Sequence, residues 1–94
     1  MKYKMVYKGR NIYVDAFRLD SRPLIEEDWF WDAVRRNVIT TYNFGKHYGD
    51  AWCIIRCKDG TVYTARTGDW IVKLVDDDII QYPDYVFKKF YQPV

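Results

Sequence analysis

The chain is predicted to fold as an α+β protein: a curved antiparallel sheet of five or six strands carrying one main helix over about residues 26–37, with room for a short C-terminal helix. Three observations lead there. Most apolar residues recur in short period-two runs bounded by Gly, Pro, Asn and Asp, the pattern of strands and turns. A single segment carries apolar residues at helical spacing, with acids at its front and arginines at its back. The stretch Thr67-Gly68-Asp69-Trp70-Ile71-Val72-Lys73 reads as a turn feeding a strand, with a hairpin before it and a return after it.

Residues 1–11 form a basic edge strand or extended arm, in which Tyr3, Met5 and Tyr7 alternate with Lys4 and Val6 before a turn at Gly9. A second strand follows, with Tyr13, Asp15, Phe17 and Leu19 on one parity and Ile12, Val14, Ala16 and Arg18 on the other. Asp20-Ser21-Arg22-Pro23 ends it. In the helix, Glu26, Glu27 and Asp28 occupy the first turn and Arg35 and Arg36 the last, complementing the macrodipole, and Asn37 is a C-terminal stop. At about 100° per residue, Trp29, Phe30, Ala33 and Val34 make one apolar stripe, and Trp31 falls about 130° from its centre. Trp31 is therefore placed on a flank, either under a neighbouring loop or facing a partner.

Val38 to Phe44 reads as a strand leaving the helix, and Gly45 to Asp50 as a loop holding the one histidine, His47. Ala51–Cys57 and Thr61–Arg66 form a hairpin turned at Asp59-Gly60. A two-residue loop there pairs Cys57 with Val62 and Ile55 with Thr64. One face then holds Cys53, Ile55, Cys57, Val62 and Thr64, and the other Trp52, Ile54, Arg56, Tyr63 and Ala65. In the next turn Gly68 supplies a conformation other residues resist, and Asp69 can bond the backbone nearby. Trp70 heads the following strand, Asp76-Asp77-Asp78 makes a solvated tip, and Ile79 to Tyr82 returns. Pro83 stops that strand, and Asp84 caps a short helix with Val86, Phe87 and Phe90 inward.

The 94 residues predict one domain, 1–94, with nine Tyr, five Phe and four Trp, more aromatics than so small a domain can hide. The net charge of +2 is too small to imply nucleic acid by itself. No apolar run reaches the ~18 residues of a membrane span, and the N-terminus lacks the apolar core of a signal peptide, so a cytosolic setting is expected.

Candidate chemistry is sparse. On a strand, Cys53 and Cys57 lie about 13 Å apart, beyond the ~7 Å limit for a disulfide, so they read as small hydrophobes. His47 with either thiol makes a weak nucleophilic pair, since no acid or Asn is placed to orient the imidazole. The three adjacent aspartates lack the spacing of a calcium loop. No cofactor, metal or catalytic residue is assigned, and the chain is not expected to be an enzyme. The binding candidate is the hairpin face of Trp52, Ile54, Arg56 and Tyr63. Secondary candidates are Trp31 and the basic residues Lys2, Lys4, Lys8 and Arg10. These four form either a solvated edge, since lysines discourage edge pairing, or a nucleic-acid contact with Tyr3, Tyr7 and Tyr13 as stacking platforms. Gly60, Gly68, Asp69, Trp70, Trp29 and Phe30 are assigned to turns and core.

The order of these parts resembles a family of small proteins encoded by bacteriophages and prophages. The likeness runs through Val14 to Leu19, Asp28 to Val34, Lys58-Asp59-Gly60-Thr61, Gly68 to Lys73, Tyr82-Pro83, and Phe87 with Tyr91, covering most of the chain from about Ile12. The chain departs from the pattern at Leu74, where Gly is usual, and at Asp77-Asp78, where Gly-Glu is common. The resemblance implies a phage origin and the cytoplasm of an infected or lysogenic bacterium, and it implies no activity. The function expected first is binding and inhibition of a host protein, such as an anti-phage defence component, in the manner of an anti-CRISPR. A nucleotide or small-molecule sequestering protein is the alternative, and a nucleic-acid module a further one. A homodimer through the aromatic face is also open.

Overall fold

The computed structural model describes residues 1–45 and 49–94. The fold is α+β. In chain order the elements are β1 (Lys2–Tyr7), β2 (Arg10–Arg18), α1 (Asp28–Arg35), β3 (Ile39–Tyr42), β4 (Trp52–Arg56), β5 (Val62–Arg66), β6 (Trp70–Lys73), β7 (Ile79–Tyr82), α2 (Asp84–Phe90) and β8 (Gln92–Pro93). The strands do not form the single sheet expected. They divide into a five-stranded sheet, ordered β7-β6-β2-β1-β8, and a three-stranded sheet, β3-β4-β5, all paired antiparallel.

The division occurs at Thr67-Gly68-Asp69, where the chain leaves β5 in the small sheet and enters β6 in the large one. Asp69 N–H donates to Arg66 O at 2.9 Å, and the Asp69 carboxylate accepts from Arg66 N–H, also at 2.9 Å. Gly68 has φ +97°, the positive value the third position of such a turn demands. The turn is anchored to the end of β2: Gly68 N–H donates to Leu19 O and Leu19 N–H to Asp69 O, each at 2.8 Å. A Cβ at Gly68 would meet only Arg18 Nη2 at 3.6 Å, so the constraint there is conformational rather than steric.

Two cores result. On one face of the large sheet, Tyr3, Val14, Ala16, Trp70 and Val72 pack against Phe87 and Tyr91 from α2 and its end. Phe87 stacks between Trp70, at 4.1 Å, and Tyr91, at 4.8 Å, with Tyr3 edge-on to it. Trp70 Nε1 donates to Asp84 Oδ1 at 2.7 Å. That indole N–H, ahead of Lys88 and Arg18, holds the Asp84 carboxyl below the usual carboxylate range. The second core lies between α1, the inner face of the small sheet and β6–β7. It contains Leu19, Phe30, Ala33, Ile39, Cys53, Ile55, Cys57, Ala65, Ile71 and Ile79. Trp70, Ile71 and Val72 are all buried because β6 is covered on both sides.

Local signals are resolved in detail. The β1–β2 turn has positive φ at both central residues, Lys8 (51°) and Gly9 (76°), as a two-residue hairpin requires. β1 is not a free edge along its whole length, because Tyr3 and Lys4 pair with Pro93 and Gln92. α1 is shorter than the expected 26–37, so of the three acids only Asp28 lies in its first turn. Its end follows the Asn37 expectation: φ is +62°, Asn37 N–H donates to Val34 O, and Val38 N–H to Ala33 O, the Schellman pattern. In α2, Pro83 rather than Asp84 is the N-cap, because the Pro83 carbonyl already accepts from Phe87 N–H at 3.0 Å, and the Asp84 carboxylate binds Trp70. Phe90 faces solvent and Tyr91 replaces it inside. Asp76 and Asp77 are exposed, as expected of a solvated tip, but the tip is tied down rather than free. Asp78 Oδ1 accepts from Lys58 N–H at 3.1 Å and Lys58 Nζ reaches Asp76 O, clipping the β6–β7 turn to the β4–β5 hairpin.

Two stability outcomes follow. Gly68→Ala should cost about 1–2 kcal/mol in urea unfolding, from forcing a Cβ-bearing residue into positive φ. Phe87→Ala should cost about 3–5 kcal/mol, because the ring is fully enclosed and its neighbours cannot all collapse on the void.

Candidate functional site

The β4–β5 hairpin carries the strongest binding signal in the sequence, and its register decides which side chains form it. The loop has three residues, not two. Cys57 N–H donates to Thr61 O at 2.8 Å, Gly60 N–H donates to Cys57 O at 3.0 Å, and Gly60 takes φ +91°, giving a turn with a glycine bulge. Asp59 Oδ1 accepts from Thr61 N–H, which lowers the Asp59 carboxyl below its ordinary range. The pairing is therefore Arg56 with Val62, Ile55 with Tyr63, Ile54 with Thr64, Cys53 with Ala65 and Trp52 with Arg66. A one-residue shift moves every β5 side chain to the other face. Tyr63, expected beside Trp52, instead packs against the inner core, and Ala65 is buried there with it.

The outer face of the small sheet consists of three cross-strand rows. Tyr42, Trp52 and Arg66 form one, Thr40, Ile54 and Thr64 the next, and Arg56 with Val62 the last. Tyr42 and Trp52 stack in parallel at 4.2 Å and 12°. Tyr42, Trp52, Ile54 and Val62 belong to neither core, and Val62 is 60% exposed. Arg56 Nη1 donates to Thr40 Oγ1 at 2.9 Å and to Asn37 O at 3.3 Å, which holds its guanidinium against the sheet. Three of the four residues predicted for this face, Trp52, Ile54 and Arg56, are together. Tyr42, Val62 and Arg66 complete it and were not singled out as site residues. The available cue was the pair Tyr63 and Ala65: a small, fully apolar residue suits the crowded inner side, and that parity carries Tyr63 inward.

The secondary candidates disperse. Trp31 donates its Nε1 proton to Ile25 O at 2.9 Å and lies edge-on to Phe30 and Phe44, so it secures the approach to α1. Lys2 and Lys4 share one face of the large sheet with Asp15 and Tyr13, whereas Arg10 lies opposite Tyr7 on the other. Lys2 pairs with Asp15 at 3.2 Å and Lys8 sits over the Tyr7 ring. Tyr3 is buried under α2 and is no stacking platform.

A groove of about 470 Å³ runs between α1 and the β6–β7 turn, lined by Trp29, Asp32, Arg36, Lys58, Lys73, Asp77 and Ile79. Four of its five charges are paired, Arg36 with Asp32 at 2.8 Å and Lys73 with Asp77 at 3.4 Å, and Lys58 Nζ rests on the Asp76 carbonyl. Among the described residues, no three His, Cys, Asp or Glu side chains gather as metal ligands. His47 lies outside the described residues. Both thiols are inside. Burial, reinforced by the Asp69 carboxylate, pushes the Cys53 thiol up to about 12, and burial with Asp78 and Asp59 raises that of Cys57, whose Sγ donates to Ile79 O.

These raised values favour the neutral thiols. Their contribution to stability is complete below the ordinary thiol range and, for Cys53, is lost as pH climbs through about 12. At pH near 8 a disulfide reagent should therefore label the native protein slowly, Cys57 before Cys53, and label both at once in denaturant. Rapid native-state labelling of Cys53 would contradict the packing described.

Among the described residues, no helix is long and apolar enough to cross a membrane. Comparison with known proteins finds no matching family model, no matching curated protein and no matching solved structure.

Proposed function

We propose that this protein acts by binding a protein partner through the outer face of its three-stranded sheet, with Trp52 as the anchor. The carrying observation is the Tyr42–Trp52 stack beside Ile54 and Val62, an aromatic and aliphatic surface that neither core absorbs, with Tyr42 and Val62 exposed and Trp52 and Ile54 half-buried. Trp, Tyr and Arg dominate the energetics of protein interfaces, and rings already stacked lose little freedom on docking. The likeness to phage- and prophage-encoded proteins supports a host protein as the partner, including a component of anti-phage defence, met in the bacterial cytoplasm. Binding would then act by occupying the partner's surface rather than by chemistry on it.

Trp52→Ala removes the anchor while leaving both cores intact. It should weaken the complex by about 2 kcal/mol or more, roughly 30-fold, with the cooperative melt retained. The measurement is capture from bacterial lysate by tagged wild type and variant in parallel, followed by titration of the captured protein. A partner held by wild type and lost by Trp52→Ala is expected; identical captures, or none, would count against this function.

A further inference from the structure

Resting on the binding face just proposed, we infer that its partner is an acidic protein segment, in which an apolar side chain docks on Trp52 and Ile54 between carboxylates that meet Arg56 and Arg66. The charge on this face is one-sided: its outward strand residues include two arginines and no carboxylate. Elsewhere cations are commonly matched, Lys2 with Asp15, Arg36 with Asp32, Lys73 with Asp77 and Lys88 with Asp84. Neither Arg56 nor Arg66 has a carboxylate partner among the described residues.

Their placement brackets the apolar patch. Arg66 pairs across from Trp52, whereas Arg56 lies four residues further along β4, about 13 Å at the rise of a strand. Arg56 is preorganised by its bonds to Thr40 and Asn37, so little freedom remains to be lost when a carboxylate arrives. A second copy of the chain fits less well, because a two-fold contact through this face would bring four guanidiniums together with no carboxylate. Single-stranded nucleic acid also fits less well. Tyr42 and Trp52 cover each other's facing ring surfaces, and two unpaired arginines offer few phosphate contacts.

The test pans a random-peptide display library on the immobilised full chain, comparing wild type, Trp52→Ala, Arg66→Glu and Arg56→Gln. Arg66 has no side-chain hydrogen bond or ion pair among the described residues, and Arg56→Gln keeps the aliphatic stem and a polar head on an exposed strand position, so all variants should remain folded by circular dichroism. Expected are Trp52-dependent peptides with Asp or Glu flanking an apolar residue, weakened about tenfold by Arg66→Glu and by added salt. Trp52-dependent peptides without acidic bias, or indifferent to Arg66→Glu, would overturn the inference and leave the binding face standing. Absence of any Trp52-dependent peptide would overturn both. An oligothymidylate probe that binds in a Trp52-dependent manner more tightly than the selected peptides would replace the acidic segment with nucleic acid.

Discussion

The fold depends on the corner at Thr67-Gly68-Asp69. There the chain must leave one antiparallel sheet and begin another, and every backbone group freed by the change of partners needs a new one. Asp69 meets that need twice over, donating its N–H to Arg66 O and accepting Arg66 N–H with its carboxylate, while Gln81 Nε2 also bonds that carboxylate at 3.0 Å. Gly68 provides the positive φ, and the end of β2 receives the turn through Leu19. A second tie, from Lys58 to Asp76 and Asp78, joins the sheets at the opposite end of β6.

From that corner the two cores follow. Trp70 and Val72 turn toward α2 and meet Phe87, whereas Ile71 turns toward α1 and the small sheet. One four-residue strand thus contributes to both interiors, which is why its first three residues, Trp70, Ile71 and Val72, are apolar without alternation. The small sheet needs only one side for its core, with β4 and β5 lying against β7. Its other side is left to Tyr42, Trp52, Ile54 and Val62, with Arg56 and Arg66 at the two ends. The surplus of aromatic residues is thereby divided between an enclosed stack and an outward one.

A difference of one residue in the β4–β5 loop separates the anticipated face from the observed one. Asp59-Gly60 is compatible with either a two-residue turn or a three-residue turn with a glycine bulge, and the local sequence does not discriminate between them. The inner core does. Placing Ala65 and Tyr63 inward allows close approach at Cys53 and fills the space beside Ile55, while Val62 and Thr64 are tolerated outside. β4 kept its predicted faces because it is the central strand, and only its partner slipped.

The α+β class, the existence and order of nearly all the strands, the stop at Asn37, the tight β1–β2 turn and the conformational role of Gly68 were legible in the residues alone. Each of these is set within a few residues, by side-chain periodicity or by a backbone angle that few residue types accept. Contacts across the fold were needed to divide the strands into two sheets, to turn Tyr63 inward, to bind Asp76 and Asp78 to the neighbouring hairpin through Lys58, and to bring Asp84 to Trp70. Those outcomes come from contacts between residues distant in sequence, where burial and hydrogen-bond satisfaction across the whole interior choose among locally equivalent arrangements.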